Sequence, residues 1–166
     1  MKNDPIAAPA LKRLATLIEG IEIAMLTTRT ADGSMVSRPL QTLQFTGGEE
    51  LVFFTAADSA KVEELTAHPD VLLSYADPKQ RRFVSVRGTA SIDRDAATIE
   101  ALWTPVQQVF FPAGKTDPNL VLLRVRLRDA AWWQSAGSFA ARTLDLVRGF
   151  ISDEPEDLGE HGVVEP

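Results

Sequence analysis

Apolar side chains recur at two different spacings along the chain. Between residues 7 and 19 they fall on one face of a helix, and Pro5 is suited to the first turn of that helix. Gly20 is suited to the helix C-terminus, and residues with high β-propensity follow from Ile21 onwards. The pattern therefore predicts a helix over residues 7–19 and a strand that begins soon after Gly20.

The rest of the apolar pattern is mostly typical of β-strands. Asp32-Gly33 is a strong hairpin signal, since both residues tolerate the positive φ of a tight turn. The predicted strands cover residues 25–29, 35–45, 51–54, 71–75, 83–92 and 120–128. Six or so antiparallel strands with two or three helices give a mainly β fold with peripheral helices, and favour a small barrel.

Two further helices are predicted between these strands. One covers residues 58–68, with Asp58 or Ser59 as its N-cap, and the other covers residues 93–103, with Asp93 as its N-cap. Both helices are short, so we expect them to decorate the barrel.

The chain of 166 residues is long enough for one compact domain. We assign residues 1–138 to that domain, together with its N-terminal helix. The pattern weakens from residue 139, and residues 154–166 are acidic and flanked by proline. The extension over residues 139–166 is accordingly predicted to be partly disordered.

Composition excludes several classes of function. The net charge of −6 argues against nucleic acid as a partner. The absence of cysteine excludes disulfides and thiolate metal sites, and two histidines are too few for a histidine-rich metal site. The sequence shows neither a signal-peptide pattern nor an apolar run long enough to cross a membrane, so we expect a cytoplasmic protein without a membrane partner.

The first candidate site is the junction between the strand at 51–54 and the following helix. Ser59 supplies a hydroxyl group and Lys61 a positive charge, beside the unpaired N–H groups at the helix N-terminus. Such a junction is suited to an anion. The alternative is an ordinary N-cap serine and a solvated lysine, which on this segment alone is the commoner situation.

The second candidate site lies on the strand after the hairpin. Pro39 cannot donate a ladder hydrogen bond, which indicates an edge, a bulge or a place where the backbone faces a ligand. Arg38 could contact a phosphate, and the main chain of Leu40 and Gln41 could meet the polar edge of a planar ring. A flavin would satisfy both requirements. A plain edge strand with a solvent-facing Arg38 is the alternative.

Taken in order, several motifs resemble one known family, the pyridoxamine-phosphate-oxidase-like FMN-binding split barrels, and within it the bacterial general stress proteins. The motifs run from about residue 11 to residue 135. They are Met25-Leu26-Thr27-Thr28, Asp32-Gly33, Ser37-Arg38-Pro39-Leu40, Phe53-Phe54-Thr55 with Ser59 and Lys61, Val84-Ser85-Val86-Arg87-Gly88-Thr89-Ala90, Phe111-Pro112-Ala113-Gly114, Asp117-Pro118 and Trp133-Gln134-Ser135.

The resemblance implies a six-stranded antiparallel split β-barrel that forms a homodimer, with FMN bound in grooves at the dimer interface. It implies that Arg38, Ser59 and Lys61 approach the FMN phosphate. It further implies roles beside the ring for a set of other residues, namely Pro39, Leu40, Gln41, Phe54, Thr55 and Trp133.

The chain departs from the true oxidases of this family. Leu43 and Ala60 stand where the oxidases carry basic residues, and Phe83 and Ser85 stand where they carry glutamine and arginine. The substrate-binding C-terminal segment of the oxidases is also not recognisable. These departures argue against oxidation of pyridoxamine phosphate.

The expected function is that of an FMN-binding general stress protein that acts as a flavin-dependent oxidoreductase of unidentified substrate. A non-catalytic flavin carrier or sensor is the alternative. A third hypothesis replaces FMN by a deazaflavin or haem, and the scarcity of histidine argues against haem. No catalytic acid or base can be named from the sequence.

Overall fold

The computed structural model describes residues 6–43, 45, 47–134 and 160–164. The elements found in these residues follow the predicted order, with one additional strand near the C-terminus. They are α1 (Ala8–Ile18), β1 (Ile23–Arg29), β2 (Met35–Gln41), β3 (Glu50–Ala56), α2 (Ala60–Ala67), β4 (Asp70–Asp77), β5 (Arg82–Asp93), α3 (Ala96–Leu102), 3₁₀ helices at Pro105–Val109 and Gly114–Thr116, β6 (Leu120–Gln134) and β7 (Glu160–Val164).

The strands form one antiparallel sheet in the order β2-β1-β4-β5-β6-β3. The mainly β fold expected from the sequence is confirmed. β2 and β3 lie at the two ends of this order, so each pairs on one side only within the described part of the chain. The long strand β6 pairs first with β3 and, further along, with β7.

Two boundaries differ from those expected. β2 ends at Gln41 instead of residue 45, because its only described partner, β1, begins at Ile23, which is opposite Gln41. The third helix is capped by Asp95, whose carboxylate accepts hydrogen bonds from the N–H groups of Ala97 and Thr98. Asp93, the expected cap, instead forms an ion pair with Arg124.

Within the extension over residues 139–166, which was expected to be partly disordered, residues 160–164 form the strand β7, which the sequence did not predict. Beyond its pairing with β3, β6 offers an edge of unpaired main-chain groups, and β7 fills that edge although its own pattern is weak. Val164 is buried in the core. The remaining residues of the predicted extension, 139–159 and 165–166, lie outside the described residues, and the domain division at 138 stays a prediction.

The core lies between the inward face of the sheet and the apolar face of α1. The alternation along the strands places one face inside, so the most deeply buried side chains include Leu26, Phe53, Leu73, Val86 and Leu123. The helix adds Leu14 and Leu17, which confirms the helical periodicity of the first segment. No helix among the described residues is long and apolar enough to cross a membrane.

Arg82 connects α1 to the hairpin between β4 and β5. This nearly buried side chain donates hydrogen bonds to the carbonyl oxygens of Thr16 and Glu19, each at 3.1 Å, and to Asp77 Oδ2 at 3.0 Å. The two carbonyl groups belong to the last turn of the helix, where intrahelical partners run out. Arg82 therefore anchors the C-terminal end of the helix.

We expect Arg82→Met to lower the free energy of unfolding by about 1–2 kcal/mol, since two carbonyl groups and a carboxylate lose their donor. Urea unfolding followed by tryptophan fluorescence measures the effect. Lys79→Met, in the same hairpin but on the exposed surface, is the matched control and should unfold like the wild type. Equal midpoints for the two variants would contradict the anchoring role.

Candidate functional site

A cavity of about 500 Å³ lies between β2, β3, the start of α2 and the connection from α3 to β6 (residues 103–119). Its volume falls within the range of roughly 300–1,000 Å³ that is usual for small-molecule sites. Six of the residues singled out from the sequence line it, namely Pro39, Leu40, Gln41, Phe54, Thr55 and Lys61. The other lining residues are Ile23, Leu43, Ala56, Gln107, Phe110 and Phe111.

Two strand edges border this cavity. Pro39, Leu40 and Gln41 of β2 line it consecutively, as do the residues 54–56 of β3. Side chains alternate between the two faces of a strand, so a consecutive run of lining residues means that the main chain itself borders the space. The expectation that Pro39 marks an edge is confirmed, because β2 lies at one end of the sheet order. Main-chain donors and acceptors are therefore available along both sides of the cavity.

Lys61 is the one charged side chain among the described residues that line the cavity. Its Nζ donates a hydrogen bond of 2.9 Å to Oγ1 of Thr55, which is buried at the end of β3. Burial, followed by the nearby Arg38, lowers the pKa of Lys61 below its usual value. The charged lysine is thus held at an energetic cost in the ligand-free protein, which an anion beside it would relieve.

Arg38 lies beside Lys61 but is held by a carboxylate. Its guanidinium group forms an ion pair with Glu64, with Nη2 at 2.9 Å from Oε2 and 3.2 Å from Oε1. Thr28 on β1 donates to the same carboxylate at 2.6 Å. Both members of the ion pair are largely shielded from solvent. Arg38 does not line the cavity directly, and Glu64 fixes its position.

Glu64 was not predicted as a site residue, although its spacing from Lys61 could have indicated it. Glu64 follows Lys61 by three residues on α2, a spacing that places both side chains on the same helix face. The ion pair with Arg38 joins residues 26 positions apart, so it depends on the tertiary fold.

Ser59 occupies the N-cap position of α2 but does not cap the helix. Its hydroxyl group donates at 2.7 Å to the carbonyl oxygen of Ala56, and its side chain accepts no hydrogen bond from the helix. The other expected cap, Asp58, instead accepts a hydrogen bond from the Asn119 side chain at 2.9 Å. The N-terminus of α2, which is the positive end of the helix dipole, therefore has no side-chain cap and lies close to the two cations Lys61 and Arg38.

Trp133 does not reach the cavity of its own chain. It lies on the outer face of β6 opposite Phe83 of β5, and about half of its surface is exposed, at 51%. Another tryptophan, Trp103, packs against Phe54 with ring centroids 6.0 Å apart and so supports a cavity wall. The role predicted for Trp133 would need a second chain.

The connection between α3 and β6 contributes cavity residues that the sequence analysis did not single out as ligand contacts. Phe110 and Phe111 supply apolar surface at one wall, with Phe110 exposed at the rim and Phe111 buried. Gln107 is buried beside them, at 4% exposure. Its signal in the sequence is the capping-box spacing Thr104-x-x-Gln107, which predicts a helix start.

Residues 9–157 match the family described as "Pyridoxamine 5'-phosphate oxidase like". Over 157 residues the chain is 25% identical to the protein bli-3 of Neurospora crassa, a match that covers 89% of this chain and 75% of the relative.

Two solved structures share the fold. A general stress FMN/FAD-binding protein from Xanthomonas citri is 27% identical with a TM-score of 0.68, covering 80% of this chain and 94% of that one. A putative general stress protein 26 from Jannaschia sp. CCS1 is 19% identical with a TM-score of 0.71, covering 96% and 99% of the two chains.

Proposed function

Because the chain belongs to the pyridoxamine 5'-phosphate oxidase-like family, we propose that it binds FMN in the cavity between β2, β3 and the connection 103–119. One observation carries the proposal. The cavity combines a half-buried lysine at the start of a helix with apolar walls and two bordering strand edges. A ligand that fits this arrangement has an anionic group at one end and a flat, partly polar ring at the other.

Within this proposal, Lys61 and Arg38 bind the phosphate together with the free N–H groups at the start of α2. The hydroxyl group of Ser59 turns from the Ala56 carbonyl towards the phosphate. This requires only a rotation about its side-chain bond.

The ring occupies the apolar part of the cavity. Pro39, Leu40 and Gln41 contribute the edge of β2 to the ring, while Phe54 and Thr55 form the opposite wall. Main-chain N–H and C=O groups along these edges are suited to the alternating acceptors and donors of an isoalloxazine.

The chemistry that bound FMN supplies is electron transfer, and the protein supplies placement and electrostatics. We propose a flavin-dependent oxidoreductase whose substrate is not pyridoxamine phosphate. Leu43 and Ala60 stand where the oxidases carry basic residues. Leu43 lines the cavity as an apolar residue and Ala60 adds no charge at the phosphate end, so neither position supplies the positive charge that the oxidases have there. Among the described lining residues, Lys61 is the titratable side chain, and none is a carboxylate or an imidazole.

Titration of the purified protein with FMN tests the proposal. Bound FMN should show quenched fluorescence and a resolved visible spectrum with one site per chain. Absence of both changes at micromolar FMN would refute FMN binding, and tighter binding of a deazaflavin would overturn the choice of cofactor. Anaerobic addition of NADH or NADPH then separates an oxidoreductase, in which FMN is bleached, from a carrier, in which it stays oxidised.

A homodimer is part of the same proposal. The outer face of the sheet carries a set of exposed apolar side chains that the strand register places on one side, namely Ile23, Met25, Met35, Phe83 and Trp133. An exposed apolar face of this kind is typical of protein interfaces. A second copy that covers it would bring Trp133 towards the cavity of its neighbour.

We expect Phe83→Asp to convert the dimer into a monomer, because it places a charge in the middle of this apolar face. Sedimentation velocity at several protein concentrations measures the change. Ala97→Glu, on the exposed surface of α3, is the control and should leave the dimer intact. A wild-type protein that sediments as a monomer at all concentrations would contradict the proposal.

A further inference from the structure

We propose that Gln107 is a specificity-determining residue whose side-chain amide donates a hydrogen bond to an acceptor on the ring of the bound flavin. The inference rests on the proposed function and deepens it. Gln107 lies outside the group of Arg38, Ser59 and Lys61 that is proposed to bind the phosphate. It would select the flavin ring by the polar atoms on the edge of that ring.

The position of Gln107 is unusual for a glutamine. It lies in the 3₁₀ helix Pro105–Val109 and lines the cavity, yet only 4% of its surface is exposed. Glutamine is mostly an exposed residue, and a buried carboxamide is costly unless its polar atoms are paired. The partners of the two polar ends of this carboxamide therefore decide what Gln107 can bind.

Hydrogen bonds identify which end of the carboxamide is held by Thr104. Oε1 accepts from the main-chain N–H of Thr104 at 2.8 Å and from the hydroxyl group of the same residue. Because a main-chain N–H can only donate, the atom that it meets must be the oxygen. The NH₂ group is the end left over, and the described residues give it no hydrogen-bond partner.

The residues around the cavity indicate which ligand could supply a hydrogen-bond acceptor for this NH₂ group. Phe54 and Phe111 line the same cavity as apolar aromatic surfaces, and Lys61 lies at the phosphate end. A donor among apolar walls selects a flat ring that carries a carbonyl oxygen or an unprotonated ring nitrogen on its edge. The isoalloxazine carries both kinds of acceptor. Because an unpaired buried donor is costly, a ring without such an acceptor would bind less well.

Gln107→Glu tests the proposal with little disturbance of the fold. Glutamate also serves in a capping box, so its carboxylate can still accept from Thr104 while the donor is replaced by a charged oxygen. We expect the dissociation constants of FMN and riboflavin to rise together by at least about tenfold. We also expect a more negative reduction potential of bound FMN, because the carboxylate opposes the negative charge of the reduced ring.

Two further variants separate ring recognition from a structural role. Thr104→Val removes one hydrogen bond to Oε1 but keeps the amide donor, so flavin affinity should stay within about threefold of the wild type. Gln107→Met keeps the size of the side chain and loses the donor without adding charge, although it also loses the oxygen that accepts from Thr104. It should weaken both flavins by about fivefold and provides the test if the glutamate variant does not fold.

The outcomes distinguish this inference from the proposed function. A folded Gln107→Glu or Gln107→Met protein that binds both flavins like the wild type would overturn the role of Gln107 and leave FMN binding intact. A loss of equal size in Thr104→Val would assign Gln107 to loop structure and overturn the inference as well. A wild-type protein that binds neither FMN nor riboflavin would instead overturn the proposed function.

Discussion

Replacing Lys61 by methionine is expected to weaken FMN binding by about 1.5–3 kcal/mol, or roughly tenfold to 150-fold, while riboflavin binding stays nearly unchanged. Among the described residues that line the cavity the lysine is the charged one, and its hydrogen bond to Thr55 fixes its position. Riboflavin has no phosphate and gains nothing from that charge. Fluorescence quenching titrations with the two ligands measure the difference.

The same substitution should stabilise the ligand-free protein. The fold lowers the pKa of Lys61, chiefly by burial, which means that the folded state disfavours the charged form. This penalty is present at neutral pH and is relieved as the pH rises towards the ordinary pKa of lysine. Ligand-free Lys61→Met should therefore melt at least as high as the wild type near pH 7.

Lys79→Met is the matched control, since Lys79 is exposed in a turn and does not line the cavity. It should leave both FMN affinity and melting temperature unchanged. Lys61→Met with wild-type affinity for FMN would show that the phosphate binds elsewhere.

Arg38→Ala is a less selective test, because Arg38 has a second role. Its removal leaves the Glu64 carboxylate without its cation, close to the place proposed for the phosphate. We expect a loss of FMN affinity at least as large as that of Lys61→Met, together with lower stability. Adding Glu64→Gln to Arg38→Ala should recover part of both losses, and no recovery would contradict the proposed position of the phosphate.

Gly88→Ala is expected to lower the free energy of unfolding by about 2–3 kcal/mol, which corresponds to a melting temperature lower by roughly 5–10 °C. A Cβ atom at Gly88 would lie 2.6 Å from the carbonyl oxygen of Arg126 and 2.5 Å from Cγ1 of Val125. The carbonyl belongs to the backbone of β6 and cannot move without disturbing the pairing of β5 with β6. The register between these strands shifts at Arg87 and Gly88, so the close approach coincides with an irregularity in the sheet.

Gly48→Ala provides the control for this prediction. Gly48 has an ordinary φ, and a Cβ atom there would meet nothing within 4 Å. Its melting temperature should match that of the wild type, as determined by circular dichroism. If Gly88→Ala also melted like the wild type, β5 and β6 would be able to move apart at little cost in free energy, and the prediction would be wrong.

Local patterns predicted the elements that depend on neighbours in sequence. The Asp32-Gly33 turn and the alternation on either side of it predicted the hairpin of β1 and β2, and Pro39 predicted its edge position. Strand β7 was missed because five residues around a glycine form a strand only where a longer strand offers its edge. The sequence of Glu160–Val164 alone does not indicate that β6 offers an edge for pairing.

The candidate site was predicted less completely, for the same physical reason. Lys61 could be recognised from its place in the first turn of a helix. The ion pair that holds Arg38 could not, because Glu64 and Thr28 come from α2 and β1. The spacing Thr104-x-x-Gln107 indicates only a capping box. That the NH₂ group of Gln107 has no described partner at a cavity wall follows only from the fold.

Under the proposed function, the two strand edges beside the cavity also affect what happens to the protein when flavin is scarce. An unpaired edge is a template on which another chain can add a strand, and β2 and β3 each present one in the described part of the chain. A ligand lying along these edges would occupy their main-chain groups. Cofactor supply would then govern how readily newly made chains aggregate, so that protein overproduced without added flavin should accumulate in the insoluble fraction.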